Sequence, residues 1–179
     1  MDNPQERLLP WFAGIIDGEG SVSFQTCILK GNTLRVSPFI IITNSDIGII
    51  TGCTTVVNRL LGQKRYSVYK RDGVNKPVYD LRVNCKSALI VANAAYPYMM
   101  SEKRRNVEAL NMFYESRNRR LLVRDSLGRL RRQGYTFSEI EMICSVRTHK
   151  SAKSSETLRQ ASNVVDDDKV RSLFERQRA

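Results

Sequence analysis

The order of helical and strand patterns predicts an α+β fold. It consists of an αββαββα core whose four strands form an antiparallel sheet, with helices on one face and additional C-terminal helices. Three observations carry this. An almost wholly apolar helical segment opens the chain. Two hairpin patterns follow, each preceded by a helix pattern. Within those hairpins the apolar side chains keep largely to one parity and the polar ones to the other.

The first helix runs from about Arg7 to Asp17 and is apolar on nearly every side, as a helix buried on more than one face must be. Pro10 is tolerable only near its start, so its N-terminal boundary stays open. Gly18 and Gly20 end it. Ser21 to Leu29 alternates, with Val22, Phe24 and Ile28 inward and Ser21, Ser23, Gln25 and Cys27 outward, as in a half-buried strand. Gly31-Asn32 marks a turn, and Leu34 to Thr43 is the return strand, its alternation blurred at Phe39–Ile42. Asn44-Ser45-Asp46 reads as a cap region before a helix from Ile47 to Leu61 that stops at Gly62.

Lys64 to Arg71 and Lys76 to Asn84 flank an Asp72-Gly73 turn. Tyr66, Val68, Tyr79, Leu81 and Val83 share one parity there. Arg65, Ser67, Tyr69, Arg71, Asp80, Arg82 and Asn84 share the other. A helix from Lys86 to Ala95, a break at Tyr96-Pro97 and a helix from Ser101 to Arg117 complete the core. Short helices are expected at Tyr135–Cys144 and Glu156–Ala161, and a terminal helix after the acidic run Asp166–Asp168. The expected division is a core over residues 1–120 and a basic helical extension over 121–179 packed on it.

The 179 residues carry 29 Lys and Arg against 18 Asp and Glu, a formal charge of +11. Such a surplus points to a polyanionic partner, nucleic acid or an anionic membrane surface. It is concentrated: residues 101–135 hold ten basic and four acidic side chains. Arginine dominates that run, and its planar guanidinium suits phosphate geometry better than an ammonium does. A solvated helix face accounts for such a run equally well. No apolar run approaches the ~20 residues of a membrane-spanning helix, and the N-terminus has no secretory-signal pattern. Cys27, Cys53, Cys85 and Cys144 lie far apart, and His149 is the sole histidine, so free thiols in an intracellular protein are expected, with no zinc site.

One segment breaks a local rule. Asp17 and Glu19 fall at the carboxyl end of the apolar helix, where the helix dipole disfavours carboxylates. The surrounding glycines permit a sharp turn and close approach. Acids in an unfavourable field suggest compensation by a cation, and hard divalent ions take carboxylate and carbonyl oxygens. The alternative is a helix stop with solvated acids.

Phe12-Ala13-Gly14-Ile15-Ile16-Asp17-Gly18-Glu19-Gly20 resembles the nonapeptide of the LAGLIDADG homing endonucleases, each position identical or a close replacement. The αββαββα order is also that family's core, with a saddle-like sheet. Ile42-Thr43-Asn44-Ser45-Asp46, Pro97-Tyr98 followed by Lys103-Arg104-Arg105, and Ser155-Glu156-Thr157-Leu158-Arg159 resemble further segments of it, so the similarity spans most of the chain. A single motif implies the single-motif, homodimeric class. The motif helices would then meet on a two-fold axis through Phe12, Ala13, Gly14, Asp17 and Gly18.

The resemblance implies an intron-encoded, site-specific endonuclease making a double-strand break in a long, pseudo-palindromic DNA target. Mg²⁺ is the implied cofactor, or Mn²⁺ or another divalent cation, held by Glu19 and the Gly18 carbonyl. Glu19, Asp17, Asn44 and Lys103 are the implied catalytic residues. The spacing from Pro97 puts Glu102 where the pattern expects the basic residue. Glutamate in place of the second aspartate is the other departure.

Outward side chains of the four strands would read base edges in the major groove. They are Ser23, Gln25, Cys27, Arg35, Ser37, Arg65, Ser67, Tyr69, Arg71, Asp80 and Arg82. Lys150 and Lys153 would contact phosphates, which position without specifying. Partners are therefore double-stranded DNA and a second copy of the chain, with no membrane. Intron RNA, as for a maturase on the same fold, is an alternative partner. A non-catalytic DNA-binding regulator is an alternative function. A basic RNA-associated protein from outside the family would leave the carboxylates unexplained. An intracellular location is expected, whether in a prokaryotic or archaeal cytoplasm, an organelle or the nucleus.

Overall fold

The computed structural model describes residues 4–63, 65–74, 76–119, 122–124, 130–132, 134–146 and 154–168. The fold is α+β. A four-stranded antiparallel sheet has the order β1-β2-β4-β3, and the chain divides into two compact units. One comprises residues 1–24 and 37–110, the other 25–36 and 111–179. The tip of the first hairpin thus groups with the C-terminal segment, where the sequence had suggested a single cut near residue 120.

In the first unit, α1 (Pro4–Glu19) buries Phe12, Ala13 and Ile16 completely. The helix runs through Pro10, which is exposed and contributes no N–H to the helical ladder. No loop separates α1 from β1 (Gly20–Leu29). A Cβ on Gly20 would stand 2.8 Å from the Ile16 Cα and carbonyl oxygen, so only glycine makes this direct exit.

After β2 (Thr33–Asn44) comes α2 (Ile47–Leu61), capped where expected. The Asp46 carboxylate accepts from the Gly48 N–H at 2.7 Å. At the other end Gly62, at φ +66°, closes a left-handed cap with its N–H on the Asn58 carbonyl. Ile50, Cys53, Val56 and Val57 form its buried stripe. Burial pushes the Cys53 thiol up to about 12, which makes it inert packing.

The register of β3 (Tyr66–Arg71) against β4 (Val78–Asn84) pairs Tyr66 with Val83, Val68 with Leu81 and Tyr69 with Asp80. That of β2 against β4 pairs Ile40 with Val83 and Ile42 with Leu81. Directly paired residues share a face, so the parities read from the second hairpin are those observed. The inner face carries Ile40, Ile42, Leu81 and Val83, all buried. Behind it run α3 (Cys85–Ala95), a 3₁₀ turn over Tyr96–Tyr98 and the start of α4 (Lys103–Arg119). Val91, Ala92, Ala95, Met99, Val107 and Leu110 are buried there.

In the second unit, β5 (Leu122–Arg124) and β6 (Leu130–Arg132) form a short antiparallel pair. Sequence reading had placed no strand there. The helix expected over Tyr135–Cys144 instead begins as β7 (Tyr135–Thr136), paired in parallel with β8 (Val164–Val165). It becomes α5 (Phe137–Ser145) only after a capping box between Thr136 and Glu139. A short α6 (Ser155–Arg159) is capped by the Ser154 hydroxyl. Phe113 stacks on Tyr135 at 6.3 Å, and Ile140, Ile143 and Leu158 complete this core. The terminal helix expected after residue 168 lies outside the described residues.

Candidate active site and nucleic-acid interface

The motif's two acids have different fates. Asp17 is engaged: one carboxylate oxygen accepts from the Met100 N–H at 2.7 Å and the Ser101 N–H at 3.3 Å. The other accepts from the Ser101 hydroxyl at 2.5 Å. Partial burial alone would raise its pKa. Those bonds and the nearby Lys103 charge outweigh burial and hold the carboxyl below its ordinary value.

Lys103 in turn sends its Nζ back to α1, donating to the Ile16 carbonyl at 3.0 Å and the Asp17 carbonyl at 2.6 Å. An ammonium on the last carbonyls is what a helix C-terminus favours. The cation that compensates the unfavourable helix end is therefore the protein's own lysine. Asp17 and Lys103 are brought together as a structural brace between the end of α1 and the start of α4.

Glu19 is exposed, and among the described residues no hydrogen bond or ion pair takes up its carboxylate. Gly18, just before it, is also exposed with open space at its α-carbon. Among the described residues no three His, Cys, Asp or Glu side chains gather into a metal-holding group. One free carboxylate beside one approachable carbonyl fits a hard divalent ion as a partial donor set, with phosphate oxygens and water making up the rest. Asn44 sits on another element, at the exit of β2, where its Oδ1 accepts from the Asp46 N–H at 2.8 Å and tightens the entry to α2.

The surface of α1 corrects the expected pairing face. Phe12 and Ala13 are fully buried in their own unit, so they present nothing to a second copy. The open ridge carries Pro10, Trp11, Gly14 and Gly18, and a Cβ on Gly14 or Gly18 would meet nothing within 4 Å.

The outer face of the sheet is organised in rows across β2, β4 and β3. Thr43, Asp80 and Tyr69 form one, and Ile41, Arg82 and Ser67 the next. Asp80 is 7% exposed, and both its oxygens are used. Arg71 grips them through Nε at 2.5 Å and a terminal nitrogen at 2.8 Å, and the Thr43 hydroxyl donates at 2.6 Å. Burial would raise the Asp80 pKa, but Arg71 and Thr43 more than offset it and the carboxyl sits below its ordinary value. Asp80 is thus held by Arg71 and Thr43 rather than standing free on the outer face.

Arg82 lies 4.7 Å over the Phe39 ring and donates to Asn84 at 2.9 Å. This explains why apolar Phe39 occupies an outward position and blurs the alternation of β2. Ser23 is 1% exposed, a correction to its expected outward role. Gln25, Cys27, Arg35, Arg65, Tyr69 and Arg71 are exposed; Ser37, Ser67 and Arg82 are half-buried. Lys150 and Lys153 lie outside the described residues. Thr43 was missed in the sequence although it shares the parity of Ile41; its hydroxyl became meaningful only opposite Asp80.

No protein-family model matches the sequence, and no curated protein matches it. Solved structures do. The chain is similar to the homing endonuclease I-CvuI, seen in complex with its target, at TM-score 0.59 and 12% identity over 88% of this chain and 93% of that one. It is similar to the archaeal intron-encoded homing endonuclease I-Vdi141I, complexed with DNA, at TM-score 0.57 and 14% identity, covering 86% and 94%. Against the LAGLIDADG homing endonuclease I-LtrWI, bound to target DNA, the TM-score is 0.58 at 12% identity. There 88% of this chain covers 50% of that one. The αββαββα core, the four-stranded antiparallel sheet and these likenesses agree: the chain has the fold of the LAGLIDADG homing endonucleases.

Proposed function

We propose that the chain is an intron-encoded, site-specific DNA endonuclease that makes a divalent-cation-dependent double-strand break in a long, pseudo-palindromic target as a homodimer. The observation that carries this is the split between the motif's acids. Asp17 is consumed by structure, whereas Glu19, at the glycine-bounded end of α1, is exposed and unengaged. Among the described residues a free carboxylate there has no structural use.

In this reading Glu19 and the Gly18 carbonyl hold the cation, Mg²⁺ or Mn²⁺, whose contribution is Lewis-acid stabilisation of charge on the scissile phosphate. Lys103 and Asp17 fix the end of α1 so that Glu19 keeps its place. Arg82, Ser67 and Tyr69 read base edges, and Arg71 does so with its guanidinium oriented by Asp80. The Pro10–Gly14–Gly18 ridge lets two α1 helices approach across a two-fold axis, an isologous contact that brings two copies of Glu19 to one centre. The net charge of +11 per chain supplies affinity for phosphate.

The test is incubation of the full chain with a plasmid library of randomised inserts, in Mg²⁺ and in EDTA. Linear product only in Mg²⁺, with one recurrent cut sequence, is the expected result. Selective binding without cutting would assign the chain to DNA recognition alone. The absence of both would overturn the function.

A further inference from the structure

A dense hydrogen-bonded arrangement in the second unit lies at the tip of the β1–β2 hairpin. The turn places Gly31 at φ +80° and Asn32 at φ +55°. Lys30 and Arg35, beside it, and Gln25, on the strand leading into it, are exposed. Pairing of β2 with β4 begins only at Phe39, opposite Asn84. The preceding stretch of β2 therefore presents backbone groups that β4 does not pair, and such an edge ordinarily frays or recruits a foreign strand.

Here the C-terminal segment acts as the missing strand. Asn163 donates its Nδ2 to the Leu34 carbonyl at 2.9 Å and accepts the Leu34 N–H on its Oδ1 at 2.7 Å. One side-chain amide thus reproduces the paired donor and acceptor of a neighbouring strand. The Tyr135 hydroxyl accepts the next same-edge N–H, that of Val36, at 3.2 Å. Pro38, two residues on, brings no N–H to the edge. The turn is held as well: Asn32 donates its Nδ2 to the Gln160 carbonyl at 2.8 Å and accepts from the Ser162 N–H at 2.8 Å. Tyr135 is locked to the same segment by its N–H on the Asn163 carbonyl at 2.8 Å. A Cβ on Gly134 would stand 1.5 Å from that carbonyl oxygen, so the approach requires glycine.

These contacts use backbone edges and the Asn32 amide, and leave the Gln25 and Arg35 side chains exposed. A hairpin tip fixed in this way orders its reading side chains before any ligand arrives, which lowers the ordering cost of binding and fixes register. We propose that Asn163 and Tyr135 are positioning residues for DNA-sequence discrimination, setting where the tip of the β1–β2 hairpin presents Gln25 and Arg35 to base edges. This rests on the DNA-recognition reading above and does not depend on cleavage.

The experiment selects bound sequences from a randomised duplex DNA library with the full chain, Asn163→Ala, Asn163→Asp and Tyr135→Phe, alongside thermal melting of each. Tyr135→Phe keeps the ring stack on Phe113 and removes only the bond to Val36. The expected result is an unchanged preference at most positions and about a tenfold loss of preference at one block in each half-site, the scale of one good base contact. Asn163→Asp, which keeps the acceptor for the Leu34 N–H, should fall between wild type and alanine. Identical preferences at every position would overturn the proposal. So would a uniform loss of affinity for all sequences, or outright unfolding of the variants, since each marks a purely structural role. Failure of the intact chain to select any sequence would instead fail the DNA-recognition reading, and this proposal with it.

Discussion

Asp17 and Lys103 exchange caps: the Asp17 carboxylate accepts the Met100 and Ser101 amides just before α4, and the Lys103 ammonium donates to the last carbonyls of α1. Each charge sits at the helix end whose dipole welcomes it, Asp17 at the start of α4 and Lys103 at the close of α1. Glu19 follows two residues later, so the geometry of the exposed acid is inherited from this brace.

The brace makes stability pH-dependent. Asp17 has a folded-state pKa below its unfolded value, so its contribution is complete above the unfolded carboxylate range and is lost as pH falls through the folded pKa. Asp17→Ala should cost about 1–2 kcal/mol in urea unfolding at pH 7, the scale of charge-assisted bonds at a half-buried site. The gap between wild type and variant should close below about pH 4. A gap that persists into strong acid would refute the charge-assisted cap.

Glu19 carries the chemistry in the proposed function and nothing in the fold. Glu19→Gln should leave the melting temperature within about 1–2 °C, as expected for a surface substitution, retain DNA binding and abolish Mg²⁺-dependent cutting. Full residual cleavage would remove Glu19 from the site.

Gly14 in α1 and Gly20 at the start of β1 should respond oppositely. Gly20→Ala drives a methyl into the Ile16 backbone at 2.8 Å and should destabilise by about 1–3 kcal/mol, as overpacking does. Gly14→Leu enters open space and should leave the fold intact. It should also convert a dimer to a monomer in sedimentation, if the Pro10–Gly14–Gly18 ridge is the pairing face. A folded Gly14→Leu dimer would place the contact elsewhere.

Arg71→Ala leaves the buried Asp80 carboxylate with only Thr43. It should cost more stability than Arg35→Ala, an exposed arginine outside this cluster. Thermal melts of the two variants decide this, and equal effects would show that the ion pair contributes nothing net.

Binding to DNA should weaken linearly in log–log form with salt, by about 0.9 per phosphate contact. A flat salt response in filter binding would mean that the +11 charge is not what holds the duplex.

Much of the fold was legible because its signals are local. Alternation in the second hairpin, the Asp46 cap and the Gly62 stop each depend on residues within one or two turns, and each appears where expected. β7 was read as helix because Tyr135 and Thr136 take strand form only through Val164 and Val165, some thirty residues away. The alternation of β2 blurred at Phe39 because its cover is Arg82, from a neighbouring strand.

The sequence by itself determined the αββαββα order, the excess of basic charge and the anomaly of two acids at a helix end. The nonapeptide's resemblance is readable there too. Only the tertiary structure decided how the acids divide, with Asp17 tied to Ser101 and Glu19 left exposed. It also turned Phe12 and Ala13 inward, gave Asp80 to Arg71, and set Asn163 beside Leu34 across 129 positions of chain. The physical reason is the same in each case. Capping and alternation are short-range and written into neighbouring residues, whereas a buried carboxylate or an unpaired strand edge takes its partner from whatever segment the packed chain brings within hydrogen-bonding distance.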